Sequence, residues 1–169
     1  MHILKKYFKE IFIGLIIGLI LLIVIQRFFI IATIPSESMQ TTLMVKDKVY
    51  IKTNIDTVER GKIYTFIKDG SYMIKRCIGK EGDHIKINGN DVYLNGELLE
   101  ENYVSSDILK SDFINTDVIV PEGKLFFLGD NRMLSYDARY WEDPFVSESE
   151  IIGLATKIIF PFNRIMNLY

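Results

Sequence analysis

The sequence predicts a mostly β, antiparallel domain carried on one N-terminal transmembrane helix. Three observations predict it. An uninterrupted apolar run lies near the N-terminus, between Ile11 and Ile25. Beyond it, short apolar segments alternate with turn residues down the rest of the 169-residue chain. Two Asn-Gly pairs, Asn88-Gly89 and Asn95-Gly96, flank one of those segments and favour tight hairpin turns.

The apolar run is rich in Ile and Leu and falls slightly short of the roughly 20 residues a spanning helix wants. Residues 28–32 extend it beyond Gln26 and Arg27. Lys9 and Arg27 can snorkel toward the two interfaces. Lys5, Lys6 and Lys9 precede the run, and only Arg27 follows before Lys46. This asymmetry predicts a cytoplasmic N-terminus over residues 1–10, an anchor over 11–31 and an extracytoplasmic β-rich domain over 32–169. A cleaved secretory signal shares the basic start and apolar middle. Against it, Gln26-Arg27-Phe28-Phe29 stands where a small-residue cleavage site belongs. A buried core helix is a third reading, disfavoured because the run has no polar face.

Strands are expected over residues 28–34, 48–52, 62–67, 72–78, 84–87, 91–94, 118–120, 124–128 and 151–159. Gly61, Gly70, Gly82 and Gly123 punctuate the intervals. The polar stretch 100–116 reads as a long connection with room for one helical turn. No repeat or low-complexity segment interrupts the domain.

Composition excludes several chemistries. A net charge of −2 gives no basic field for nucleic acid. The single cysteine, Cys77, rules out an intramolecular disulfide and a cysteine-based zinc site. No metal ligand cluster and no cofactor motif is evident. Only two histidines are present. His2 precedes the anchor, on its cytoplasmic side, and His84 follows Gly82-Asp83 in a turn, so a Ser-His-Asp triad has no good base.

Three segments could carry chemistry. In Ile34-Pro35-Ser36-Glu37-Ser38-Met39, Pro35 favours an extended or turn conformation. An extended stretch points Ser36 and Ser38 to one side, so that one could attack while the other donates a hydrogen bond. Paired serines also simply line polar loops. In Tyr72-Met73-Ile74-Lys75-Arg76-Cys77-Ile78, a strand places Lys75 with Met73 and Cys77 on one face. Apolar neighbours disfavour the charged amine, and a neutral amine can accept a serine proton. A lysine that packs its stem and snorkels its charge fits the same pattern. The stretch from Gly129 to Arg139 is dense in hydrogen-bonding side chains that either brace a site or form an ordinary polar turn.

Taken together, the three blocks resemble type I signal peptidases, the bacterial leader peptidases that use a Ser/Lys dyad. The resemblance rests on Ile34-Pro35-Ser36-Glu37-Ser38-Met39, on Lys75-Arg76-Cys77-Ile78-Gly79 with Gly82-Asp83, and on Gly129-Asp130-Asn131-Arg132 with Ser135, Asp137 and Arg139. Small size and sparse cysteine resemble the Gram-positive type. The resemblance implies a barrel-like antiparallel catalytic domain and a single-pass cell-membrane protein. It implies a serine endopeptidase that removes N-terminal signal peptides from exported preproteins, cutting after small residues. Ser38 is then the nucleophile and Lys75 the base. The oxyanion hole comes from the Ser38 N–H and the Ser36 hydroxyl, and Ser135 orients the lysine amine. Asp130, Arg132, Asp137 and Arg139 form the supporting shell. Ile34, Pro35, Met39, Leu43 and Ile74 build shallow apolar substrate pockets. The implied partners are exported preproteins, the lipid bilayer and, in a specialised role, pilin or the secretion machinery.

The chain departs from that pattern in places. Gln40-Thr41-Thr42 stands where a proline commonly precedes the threonine, Lys46 replaces a glycine before Asp47, Glu81 a proline before Gly82, and Ala138 a serine between Asp137 and Arg139. Ala32 is smaller than the aromatic often found there, which predicts a roomier pocket for the third residue before the cut. The alternative to an enzyme is a signal peptidase-like accessory protein that binds pilin or another client and assists surface assembly. The retained Ser38 and Lys75 argue for catalysis.

Overall fold

The computed structural model describes residues 2–104 and 115–169, with side chains placed at 7–21 and from Ile30 onward. Helix α1 (His2–Phe28) carries the apolar run. At 1.5 Å per residue it is about 40 Å long. Its described side chains, 7–21, are exposed. Among the described residues, no helix is long and apolar enough to cross a membrane.

Twelve strands follow: β1 (Phe29–Thr33), β2 (Lys48–Lys52), β3 (Ile63–Lys68), β4 (Ser71–Lys80), β5 (His84–Asn88), β6 (Asp91–Leu94), β7 (Glu97–Leu98), β8 (Thr116–Ile119), β9 (Lys124–Leu128), β10 (Phe145–Ser147), β11 (Ile151–Phe160) and β12 (Met166–Asn167). The larger sheet runs β1-β2-β11-β3-β4-β9-β10, with β12 beside β11, and the smaller runs β7-β6-β5-β8. Every pairing is antiparallel. The expected strands 48–52, 91–94 and 124–128 match β2, β6 and β9 to the residue. The boundary expected at residue 31 falls inside β1, because Ile30 and Ile31 pair with Ile51 and Tyr50. Most of the connection expected over 100–116 lies outside the described residues, and Thr116 already belongs to β8.

Turn chemistry sets the register around β4. Asp69 and Gly70 join β3 to β4 with φ of 49° and 73°, the doubly positive pattern that suits a two-residue hairpin. Asn95 and Gly96 repeat it between β6 and β7, at 54° and 88°. Between β5 and β6 the turn residues are Gly89 and Asn90 rather than Asn88-Gly89, since Asn88 still pairs with Asp91.

Two apolar cores flank β4. One holds Tyr64, Phe66, Cys77, Phe126, Phe127 and Trp141 and reaches the small sheet through Ile85, Ile87 and Val92. The other holds Ile34, Met39, Leu43, Val49, Ile51, Ile63, Ile74, Ala155 and Ile158. As expected from alternation, Met73 and Cys77 pack on the first and Ile74 on the second. Ile78 does not follow Ile74. A register shift between Cys77 and Gly79 resets the alternation, and Ile78 joins the first core. Lying between two cores, β4 is buried on both faces from Ile74 to Gly79.

Candidate active site

Ser38 and Lys75 meet at the junction of the β1–β2 connection and the middle of β4. Lys75 Nζ donates to Ser38 Oγ at 2.6 Å, across 37 residues of sequence. Both residues are buried, Lys75 to 5% exposure. The serine lies in a turn rather than the extended stretch expected, with Gln40 N donating to Glu37 O at 3.0 Å and Leu43 N to Met39 O at 2.8 Å. The two hydroxyls nonetheless lie together, Ser36 Oγ at 3.3 Å from Ser38 Oγ.

The connection is closed at its base by Ile34 N donating to Asp47 O and Lys46 N to Ile34 O, both at 2.9 Å. Lys46 sits at φ 74°, the left-handed region that favours glycine. A lysine there costs about 1–2 kcal/mol of backbone strain relative to glycine. Asp47 anchors the same turn from beneath, accepting from Met44 N at 2.9 Å and from Arg164 Nη2 at 3.0 Å.

Burial pushes the Lys75 amine down to about 8 from an ordinary 10.5. The nearby Asp137 and Asp130 charges oppose that shift and Arg139 reinforces it. At about 8, roughly a tenth of the amine is neutral at pH 7, about three hundredfold more than for a solvated lysine. Among the described residues Lys75 has no ion-pair partner. Cys77 is a different case: burial pushes its thiol up to about 12, which leaves it inert as a nucleophile. His84 belongs to the small sheet, where its Nε2 lies 2.6 Å from Asp117 Oδ1 in an exposed pair.

The turn after β9 supports the pair. Asn131 N donates to Ser38 O at 3.0 Å. Gly129 makes the close approach possible: a Cβ there would fall 2.5 Å from Ser38 O and 2.1 Å from Ser135 Oγ. Asp137 Oδ2 accepts from Gly129 N at 2.9 Å and is held by Arg139 Nε and Nη2 on its two oxygens. Asp130 accepts from Arg76 Nε and Nη2 at 2.8 and 2.6 Å, one on each oxygen, and accepts the Thr42 hydroxyl. Arg132 Nε donates to Gly129 O at 3.1 Å. The structure thus gathers Ser36, Ser38, Lys75, Asp130, Arg132, Ser135, Asp137 and Arg139 into one region. Ser135 is buried, but its hydroxyl makes no hydrogen bond, so the bond expected to the Lys75 amine is not formed.

A cleft of about 500 Å³ opens beside Ser38. Ile34, Pro35 and Ile74 line it, as does Ala32. Met39 and Leu43, expected to line pockets, do not reach it. Both are 0% exposed in the second core, because the turn after Ser38 folds them inward beneath that serine. Sequence reasoning overlooked Ile30, Tyr72, Leu134 and Tyr136 on the cleft wall. It also overlooked Arg76, Glu101, Tyr103 and Thr42 as supports. Apart from the Tyr103 hydroxyl, which bonds Glu101 two residues away, their partners lie far off in sequence, so no local pattern marks them.

The model of the family described as signal peptidase, peptidase S26, matches residues 4–160. The chain belongs to this family. A probable signal peptidase I-2 of Synechocystis is 34% identical over 143 residues, covering 78% of this chain and 63% of its own length. The chain therefore spans a little under two thirds of that relative. A signal peptidase I of Bacillus amyloliquefaciens is 30% identical over 163 residues, covering 90% of this chain and 88% of the relative. The crystal structure of a signal peptidase I from Enterococcus faecalis superposes with a TM-score of 0.53 at 31% identity, covering 61% of this chain and all of that one. The mostly β, antiparallel architecture is shared with that structure.

Proposed function

We propose that the chain is a membrane-bound serine endopeptidase that removes signal peptides from exported preproteins, with Ser38 as nucleophile and Lys75 as general base. The observation that carries it is the 2.6 Å contact between Lys75 Nζ and Ser38 Oγ, made by a buried amine with a lowered pKa. Geometry and protonation both suit proton transfer.

The reaction begins with an extended segment of the preprotein in the cleft beside β1 and β4. Neutral Lys75 takes the Ser38 proton as Ser38 Oγ attacks the carbonyl carbon. The developing oxyanion lies against the Ser38 N–H and the Ser36 hydroxyl. Lys75 then returns its proton to the leaving amine, releasing the mature protein. Water, deprotonated by Lys75, hydrolyses the acyl-enzyme ester and frees the signal peptide. Ser135, with its buried hydroxyl unbonded, serves to orient the amine once substrate is bound. The apolar walls at Ile34, Pro35 and Ile74 accept small side chains before the cut.

The helical part of 11–31 anchors the enzyme, with 1–10 in the cytoplasm and the β domain outside. Support comes from the position of the apolar run within α1 and from the lysines ahead of it. Anchoring concentrates the enzyme around substrates that are themselves in the bilayer. The test is cleavage of a preprotein in detergent or vesicles by wild-type and Ser38→Ala protein. Intact-mass analysis of the product locates the cut. Cleavage by wild type alone, after a small residue, is expected; equal cleavage by both proteins would overturn the assignment.

A further inference from the structure

Arg132 is a buried cation beside the nucleophile, and its own segment offers it no carboxylate. The two aspartates nearby are taken by other arginines: Asp130 by Arg76 and Asp137 by Arg139. The counter-ion of Arg132 comes from Glu101 instead, 31 residues earlier in the chain. Their side chains are 3% and 8% exposed. The same Glu101 oxygen accepts the Tyr103 hydroxyl at 2.7 Å. The Tyr103 ring in turn lies 3.8 Å from the guanidinium carbon of Arg76, within cation–π range. Residues 101–103 therefore close over both Arg76 and Arg132.

From this clasp the path to Ser38 is short. Arg132 Nε holds Gly129 O, and Asn131 N holds Ser38 O. The Arg132 carbonyl also accepts Arg139 Nη2 at 2.9 Å, joining the second arginine pair to the same turn. An unpaired Arg132 would be a buried charge seeking solvent, and the turn would follow it.

We propose that Glu101 is a positioning residue for Ser38: by neutralising Arg132 it fixes the turn 129–131, whose Asn131 N–H holds the Ser38 carbonyl. Glu101 acts through Arg132 and touches no reacting atom. The inference rests on the reading of Ser38 as nucleophile. The charges acting most strongly on Lys75 are Asp137, Arg139 and Asp130, so losing Glu101 disturbs geometry rather than the proton affinity of the base.

The experiment uses the full chain in detergent, assayed on one preprotein. Wild type and Ser38→Ala run alongside Glu101→Gln, Glu101→Asp and the double variant Glu101→Met/Arg132→Met. In Glu101→Gln, kcat is expected to fall about 10-fold or more, with KM within about twofold and the midpoint of the pH profile unmoved. Glu101→Asp restores part of the rate. The double variant removes both charges and so keeps a packed interior, yet it still loses kcat. It decides the matter if Glu101→Gln fails to fold. Folded variants that lose melting temperature but keep kcat within about twofold of wild type would reduce Glu101 to scaffold and overturn the proposal. A wild type that cleaves nothing would overturn the peptidase reading itself; one that cleaves, with Ser38→Ala dead, leaves the variants to judge Glu101 alone.

Discussion

The two faces of β4 treat neighbouring cations in opposite ways. Arg76 is 6% exposed and meets Asp130 side-on, with Nε and Nη2 each bonded to one carboxylate oxygen. Lys75, one residue earlier and 5% exposed, meets a neutral hydroxyl and no carboxylate. On the Arg76 face burial is compensated, and the charge holds a turn in place. On the Lys75 face it is left uncompensated, and the charge becomes easy to give up. The first arrangement serves stability, and the second is the one the proposed general base needs.

The largest effect that separates the faces is on rate. Lys75→Ala and Ser38→Ala should each remove cleavage, a loss of roughly 10³-fold or more. As the proposed base, Lys75 must be neutral to work. The rate should therefore rise with pH and level off above about 8, a profile read from kcat/KM between pH 6 and 10. Full activity in Lys75→Ala would end the dyad assignment.

The next largest effect is on stability and belongs to the other face. Asp130→Ala strands the Arg76 charge in the interior and should cost about 3–5 kcal/mol, measured by denaturant unfolding. Lys75→Met should have the opposite sign. The folded protein holds this amine at about 8 against 10.5 unfolded, so burying its charged form costs about 3 kcal/mol. That cost is fully present below pH 8, shrinks as pH rises and is gone above about 10.5. Allowing for the lost bond to Ser38, Lys75→Met should stabilise by about 1–3 kcal/mol at pH 7 and by nothing near pH 11. Destabilisation by Lys75→Met at pH 7 would show that the amine is not held at a cost.

These contrasts bear on what could be read from the chain. Strand β4 and the face carrying Lys75 are legible because alternation is local. So is the Asn95-Gly96 hairpin, whose positive φ only a few residue types accept. The two- and three-residue strands β7, β10 and β12 are not, because segments that short hold no period. Nor is the Arg76–Asp130 pair, whose members lie 54 residues apart. Met39 and Leu43 illustrate a subtler limit. Their apolar character fits a pocket wall and a core equally, and only the turn after Ser38 decides for the core.

The smallest expected effect concerns the cleft wall rather than either cation. Ile30 and Ala32 of β1 and Ile34 just past its end fall at alternate positions and all line the cleft. Ala32 is the small member, flanked by two isoleucines and paired with Val49. It leaves a notch where the third residue before the cut would lie. The wild type should cleave matched peptides carrying Ala or Leu at that position with kcat/KM values within a few-fold of each other. Ala32→Phe fills the notch and should shift the preference toward Ala by about 10-fold, the worth of one or two methylenes of hydrophobic pocket. Because Ala32 touches neither cation, the pH profile and the unfolding free energy should move little. An unchanged Ala-to-Leu ratio in Ala32→Phe would mean that the substrate side chain points elsewhere, with Tyr72 or Tyr136 as the wall to vary next.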